Sequence, residues 1–317
     1  MTPATGPSGV RPSGPGPDLR WFACTEDQVR PGEAWLVPRE RARLAEYRFA
    51  KRRTEYLLRR TAGKLAAAAW LGLPTRTDAD LARIGVLNAV TGAPYIEIDG
   101  QDVGLALSLT DRAGAAVALV APSSPVPGGL DSRPGHVAGG LDSRPGHVAG
   151  VLAGIGVDLE IVEPRSEGFV RDYLNPGEQE WVRRQAAASA DGFDAAANLL
   201  WSAKEAGLKV AGVGLRADTR TVDVTVLTGA RPDGWGRVTY DLVPHRVARG
   251  VDVPAWWRGP RPAWWSGAIP GWWRRDGTFL LTIASRTPCD PPVPLPGSAD
   301  LSSVPPRHSW LAAPLPD

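Results

Sequence analysis

Apolar residues along this chain fall into short blocks divided by Pro and Gly, and the spacing inside each block assigns its element. In RERARLAEYRFAKRRTEYLLRRTAGKLAAAAWLG (39–72), Leu44, Tyr47, Tyr56, Leu57 and Leu65 recur at helical intervals among charged residues, which predicts one or two helices. GAPYIEID (92–99), then VGLALSLT and AAVALVA within 103–121, are bounded by Gly and Pro and read as strands. GIGVDLEIV (154–162) alternates Ile155, Val157, Leu159 and Ile161 with Gly156, Asp158 and Glu160, the period of a strand with one buried face. A helix then starts at NPGEQEWVRR, where Asn175 is a capping residue, Pro176 suits the first helical position and Glu178 lies three residues past the cap. Another runs through LLWSAKEAGLKVAG (199–212), followed by strands around TVDVTVL (221–227) and FLLTIAS (279–285). Each half thus offers helix plus antiparallel strands, an α+β arrangement that looks duplicated.

The same pattern divides the chain into a disordered N-terminal tail (1–18), an N-terminal α+β half (19–122), a flexible linker (123–150), a C-terminal α+β half (151–286) and a Pro-rich disordered tail (287–317). Both tails have little periodic apolar patterning, and such segments bury too little surface to offset the entropy of ordering them. The linker holds a tandem copy, GGLDSRPGHVA at 128–138 recurring at 139–149. Its Gly and Pro content marks a connector; Asp131, His136, Asp142 and His147 admit a metal-binding reading, but on no fixed scaffold. Inside the second half, AWWRGPRP AWWSGAIP GWWRRDGT (255–278) repeats a Trp pair every eight residues. Pro or Gly in every unit excludes a regular helix, so this insertion reads as an irregular loop whose rings either cover their own scaffold or form a protein-docking patch.

Composition narrows the class. The chain has 317 residues, 43% hydrophobic and 22% charged, and no apolar run approaches the roughly 18 to 20 residues of a membrane span. Its N-terminus lacks the apolar centre of a secretory signal, so a cytoplasmic protein is expected. Cys24 and Cys289 have neither CxxC nor Cys/His spacing and give no disulfide framework or zinc signature. A net charge of +2 is too small to argue for nucleic acid, so anion binding has to come from local clusters. One such cluster is 38–60, with eight arginines and one lysine against three glutamates. It is either a solvated face or a surface for nucleic acid, membrane or phosphate, and the absence of an RNA-binding signature makes nucleic acid the weaker choice.

WSAKEAGLK (201–209) holds two of only four lysines in the chain. Glu205 and Lys209 are four apart on a helix and share a face with Trp201. As an exposed ion pair they contribute roughly a few tenths of a kcal/mol. Asp158 and Glu160 are either the wet face of an amphipathic strand or a hard-oxygen site of the kind magnesium takes. Three carboxylates and a mobile cation together are the equipment for handling a pyrophosphate around a metal ion.

GVDLE (156–160) followed by WSAKEAGLK resembles the paired signature of the phosphopantetheinyl transferases, G(V/I)D(L/I)E and (F/W)xxKE(A/S)xxK. The likeness extends to KRRTEYLLRR (51–60), similar to the family's KRRxEFLxGR, and to GAPYI (92–96), similar to its GxPYx. SLTD (108–111) stands at the place of its LSH, and YLNPGEQEWV (173–182) is similar to the acidic helix between the signatures. Two halves in one chain look like the Sfp-type pseudo-dimer, expected as a monomer, rather than the short trimeric acyl-carrier-protein synthase. The resemblance implies transfer of 4′-phosphopantetheine from coenzyme A to a serine of an apo acyl or peptidyl carrier protein. Mg2+ is the implied cofactor and adenosine 3′,5′-bisphosphate the implied product.

On that resemblance Asp158, Glu160 and Glu205 are metal ligands, and Glu205 helps deprotonate the incoming serine. Lys209 stabilises charge on the leaving group, with Lys204 beside it. Arg52 and Arg53 grip the 3′-phosphate with Arg43 nearby, Gly92 and Pro94 shape the adenine pocket, and Ser108 contacts phosphate. Two positions depart from the family. Asp111 stands where it has a phosphate-contacting His, unfavourable beside a pyrophosphate unless Arg112 takes over the contact, and Arg59 replaces the glycine of LxGR. Altered coenzyme affinity is expected from these sooner than inactivity. An alternative is a catalytically degenerate member that binds carrier protein or coenzyme A. A third reading, a nucleic-acid module built on 38–60, leaves the carboxylates unexplained.

Overall fold

The structure is a computed structural model that describes residues 17–89, 91–123, 154–212, 217–229, 234–243 and 267–307. The duplicated linker and the first two Trp pairs lie outside these residues. In chain order the elements are β1 (Arg20–Thr25), α1 (Pro38–Ala45), α2 (Ala50–Leu71), α3 (Asp78–Ala82), β2 (Ile84–Asn88), β3 (Pro94–Ile98), β4 (Gln101–Arg112) and β5 (Ala115–Pro122). Then follow β6 (Ile155–Ile161), α4 (Glu167–Tyr173), α5 (Pro176–Ala186), α6 (Gly192–Val210), β7 (Val222–Thr228), β8 (Gly236–Leu242), β9 (Ile269–Asp276), β10 (Phe279–Ser285) and β11 (Val293–Pro294). No described helix is long and apolar enough to cross a membrane.

The strands form two sheets, one in the order β11-β1-β5-β4-β3-β2 and one in the order β6-β10-β9-β8-β7. On the first lies α2, with Leu58, Ala62 and Ala66 against Ile84, Val86 and Val120. On the second lies α6, with Ala196, Leu200 and Ala203 against Val222, Val238 and Tyr240. Between the sheets, Trp21, Val117 and Leu119 meet Val157, Leu159 and Ile283. The layers therefore run helix, sheet, sheet, helix, and a strand in the middle is apolar on both faces. That is why AAVALVA shows no alternation: β5 is buried at every position but its last.

The expected α+β duplication extends to buried chemistry. In the first half α1 begins at Pro38, and Glu40 accepts the N–H groups of Val37 at 2.9 Å and Val86 at 2.9 Å while pairing with Lys64 of α2 at 2.8 Å. In the second, α5 begins at Pro176, and Glu178 accepts the N–H groups of Asn175 at 2.7 Å and Val224 at 2.8 Å while pairing with Lys204 of α6 at 2.9 Å. Each lysine also donates to two carbonyls, Lys64 to Leu81 and Ile84, Lys204 to Thr219 and Val222. A buried charge is tolerated only when paired and hydrogen-bonded, and each clip ties its short helix, long helix and first following strand together. At the cap, the Asn175 side-chain amide donates to Asp223.

Three expectations are corrected. The carboxylate face of β6 is covered, with Asp158 and Glu160 only 3% and 8% exposed, because α6 crosses it at Gly156. Residues 287–307 are not a disordered tail: β11 pairs parallel with β1, and Leu295 and Leu301 are buried, which supplies the apolar burial that the Pro content disguised. The third Trp pair is not in a loop. Trp272 and Trp273 lie in β9, where period-2 spacing sends the first between the sheets and the second towards α6, and the Gly271 site is filled by Tyr240.

Candidate active site

Close packing at Gly156 creates the site. A Cβ there would lie 2.1 Å from the Ala206 carbonyl oxygen, so glycine lets α6 approach β6 closely enough for Glu205 and Lys209 to reach the β6 carboxylates. The Lys209 ammonium donates to Asp158 Oδ1 at 2.7 Å and to the Val157 carbonyl at 2.8 Å. Thr110 of β4 donates to the same Oδ1 at 3.1 Å, and its Oγ1 accepts the Leu159 N–H at 3.2 Å, joining the two sheets. Trp201, one turn before Glu205, donates to Glu160 Oε1 at 3.2 Å, and its ring packs edge-on to Phe169 and Tyr173. Arg112 Nε lies 3.0 Å from Glu160 Oε2 without hydrogen-bond alignment, and its other end pairs with Glu163.

Burial and crowding make Glu205 and Glu160 reluctant to ionise. Burial, then the charge of Asp158, raises Glu205 to about 8; the same two causes raise Glu160 to about 7, against the pull of Arg112 and Arg165. Asp158 Oδ2 and Glu160 Oε2 are buried without a hydrogen-bond partner. A buried Asp158 oxygen without a hydrogen-bond partner, and a Glu160 oxygen faced only by the unaligned guanidinium groups of Arg112 and Arg165, fit a hard divalent cation. Among the described residues, no three His, Cys, Asp or Glu side chains are closed enough to hold a metal by themselves. Magnesium needs no such cage, since water and substrate phosphate complete its shell.

Residues 154–235, which carry Asp158, Glu160, Glu205 and Lys209, match the family model of the 4′-phosphopantetheinyl transferase superfamily. Over that segment, about a quarter of the chain, the protein is similar to the superfamily. Similar solved structures include a holo-(acyl-carrier-protein) synthase from Bacillus anthracis in complex with CoA (3′,5′-ADP), 20% identical over 34% of this chain and 96% of that one, TM-score 0.29. Others are a holo-[acyl-carrier-protein] synthase from Neisseria meningitidis, 18% identical over 34% and 98%, TM-score 0.28, and an ACPS–CoA complex from Chronobacterium ammoniagenes, 25% identical over 33% and 95%, TM-score 0.26. No curated protein matches the chain.

Outside the matched segment, the other candidate residues are scattered. A cavity of about 530 Å³ opens between α1, α2 and the β2–β3 turn, lined by Arg39, Arg43, Arg59, Arg60, Tyr47 and Gly92, with no acidic side chain among the described residues that line it. Gly92 adopts φ 89°, which closes the turn before Pro94 opens β3, and its carbonyl accepts from Asn88, itself held by Arg60. Arg52 and Arg53 do not line this cavity. Arg52 pairs with Glu55 at 3.3 Å, and Arg53 donates to the Leu44 carbonyl and to Glu33. Ser108 is 4% exposed and accepts the Val157 N–H at 3.1 Å, a sheet-to-sheet contact. Lys204 is fully buried on Glu178 and belongs to the scaffold clip. Asp111 pairs with Arg59, so the two departures from the family pattern are one ion pair, and Arg112 is engaged elsewhere, by Glu160 and Glu163.

The sequence did not single out Thr110, Glu163, Arg39 or Arg60. Thr110 lies inside the quoted SLTD, but only the meeting of β4 with β6 shows that its hydroxyl holds Asp158. Arg39 and Arg60 lay inside the basic cluster, where charge count alone did not distinguish them from Arg52 and Arg53.

Proposed function

We propose that this chain transfers the 4′-phosphopantetheine group of coenzyme A to a serine hydroxyl of an apo acyl or peptidyl carrier protein. The observation that carries the reading is the convergence of Asp158, Glu160, Glu205 and Lys209 over Gly156, with Asp158 Oδ2 buried without a hydrogen-bond partner. Asp158, Glu160 and Glu205 would hold Mg2+, which supplies charge neutralisation at the pyrophosphate. Glu205, raised into the neutral range, accepts the serine proton directly or through a water. The serine oxygen forms a bond to the phosphorus of the pantetheine phosphate as the bond from that phosphorus to the bridging oxygen breaks, and adenosine 3′,5′-bisphosphate departs with that oxygen. Lys209, steered by Asp158 and the Val157 carbonyl, sits to stabilise charge on the leaving phosphate. The arginine-lined cavity suits the adenosine bisphosphate end, with Arg39, Arg43 and Gly92 in its wall. A cytoplasmic monomer with both halves supplied by one chain completes the proposal.

Asp111 paired with Arg59, at the place where the family has a phosphate-contacting His, favours a second reading, a coenzyme-binding module without catalysis. Incubation with coenzyme A, Mg2+ and several apo carrier proteins decides between them by mass spectrometry. A phosphopantetheine adduct on a carrier supports the transferase; coenzyme binding with every carrier unmodified supports the module.

A further inference from the structure

The arginine cavity and the carboxylate cluster are separate, and one ion pair stands between them. Arg59, on α2, lines the cavity of about 530 Å³ and reaches Asp111 near the end of β4. Asp111 in turn lines a second cavity of about 230 Å³, together with Lys51, Thr54, Glu55, Arg112 and Gly114. Arg112 lies 3.0 Å from Glu160 of the cluster. A polyanion whose one end occupies the arginine cavity and whose reacting phosphate meets Glu205 and Lys209 therefore passes this junction.

The other arginines of the cavity are largely committed. Arg60 is 4% exposed and donates to the Val86 carbonyl and to Asn88 Oδ1, each at 2.6 Å. Arg39 donates to the Tyr95 hydroxyl at 3.0 Å and lies 3.5 Å from Glu97, and Arg43 pairs with Glu46. Arg59 differs in place rather than in number of partners. Its side chain is 27% exposed, it approaches Asp111 through Nη1, and it is the cavity arginine that reaches the acid facing the second cavity. A guanidinium has five N–H donors in a fixed fork, so one carboxylate contact orients it while leaving donors for a phosphate. An unneutralised acid at the same junction would repel that phosphate.

We propose that Arg59 is a specificity-determining contact for the phosphates of the nucleotide co-substrate, and that Asp111 is its positioning residue, an acid that aids anion binding by acting through Arg59. The inference rests on the coenzyme A reading and names a part of its site. It also predicts an unusual sign: neutralising an acid next to a polyanion weakens binding.

Calorimetric titration of the full chain with coenzyme A, and with adenosine 3′,5′-bisphosphate, tests this on wild type, Arg59→Gln, Asp111→Asn and the double variant. The expected result is a Kd raised on the order of tenfold in Arg59→Gln, as for loss of a charged hydrogen bond. Asp111→Asn raises it by a smaller factor, and the double variant matches Arg59→Gln alone, because an acid acting through Arg59 has nothing left to position. The double variant also removes both charges together, so it leaves no buried acid without its partner and serves if Arg59→Gln folds poorly. An unchanged Kd in Arg59→Gln or in the double variant overturns the inference. Tighter binding in Asp111→Asn overturns it too, since the acid would then be a repulsive element. Wild type that binds neither ligand overturns the coenzyme reading itself and this inference with it, a result distinct from wild-type binding that the variants leave intact.

Discussion

Lys204 and Lys209 lie on one helix and serve different ends. Lys204 is sealed against Glu178, and Lys209 is one-quarter exposed beside Asp158. Removing one partner of a buried ion pair leaves an uncompensated charge at a cost of about 3–5 kcal/mol, so Lys204→Met lowers unfolding stability by that order in urea titration. Lys209→Met costs less stability, because its ammonium is one-quarter exposed and Asp158 keeps the Thr110 hydroxyl, and it lowers the transfer rate by about 100-fold, as for loss of a group that stabilises transition-state charge. Equal stability losses would merge the two roles. The sequence showed both lysines as rare and close together, but their difference depends on Glu178, 26 residues before Lys204, which spacing alone does not connect. Nor does a sequence show that Arg59 and Asp111, each odd alone, neutralise one another. The raised acids give a second test at this scale. Glu160 at about 7 and Glu205 at about 8 both stand above their ordinary 4.5, so the fold favours their protonated forms. That stability is complete below about pH 4.5 and is lost as the pH rises through about 7 to 8. Without divalent cations the urea midpoint falls across this window, and Mg2+ makes the fall smaller by favouring the ionised forms. An identical fall with and without Mg2+ would separate the cluster from the metal.

At the scale of elements, α6 and β6 were legible because each carries a clear period, 3.6 in LLWSAKEAGLKVAG and 2 in GIGVDLEIV. Their mutual approach was not, since a period shows which side chains share a face and not what covers it. Gly156 decides the approach, and the measurement that exposes it is unfolding stability. Gly156→Ala forces a Cβ against the Ala206 carbonyl and is expected to cost about 1–3 kcal/mol by overpacking. Gly177→Ala, on α5 with nothing within 4 Å of the added atom, stays within about 0.5 kcal/mol of wild type. A neutral Gly156→Ala would mean that the helix has room to move. Other strands escaped notice for physical reasons of their own. RWFACT of β1 is buried between α2 and the second sheet and so lacks alternation, whereas GRVTYDL of β8 does alternate but lies between stretches rich in Pro and Trp.

For the whole molecule, the order of elements was enough to suggest two α+β halves, and the clips at Glu40 with Lys64 and at Glu178 with Lys204 give that duplication a shared buried framework. Only the Pro-x-Glu at the start of α1 and α5 signals the equivalence in sequence. The halves have diverged in function: at the α2 positions matching Glu205 and Lys209, counted from the paired lysines, stand Leu65 and Ala69, so a single carboxylate cluster forms on the second half. The first half contributes the arginine cavity and, through Thr110 and Arg112, the far wall of the cluster. The central claim is that this one cluster performs the transfer, and Glu205→Gln tests it most directly. Glutamine keeps the shape of the largely protonated Glu205 side chain, so the variant folds and binds coenzyme A. Mass spectrometry of an apo carrier protein incubated with coenzyme A and Mg2+ is expected to show phosphopantetheine added by the wild type and none added by Glu205→Gln in the same time. Equal addition by both would contradict the account.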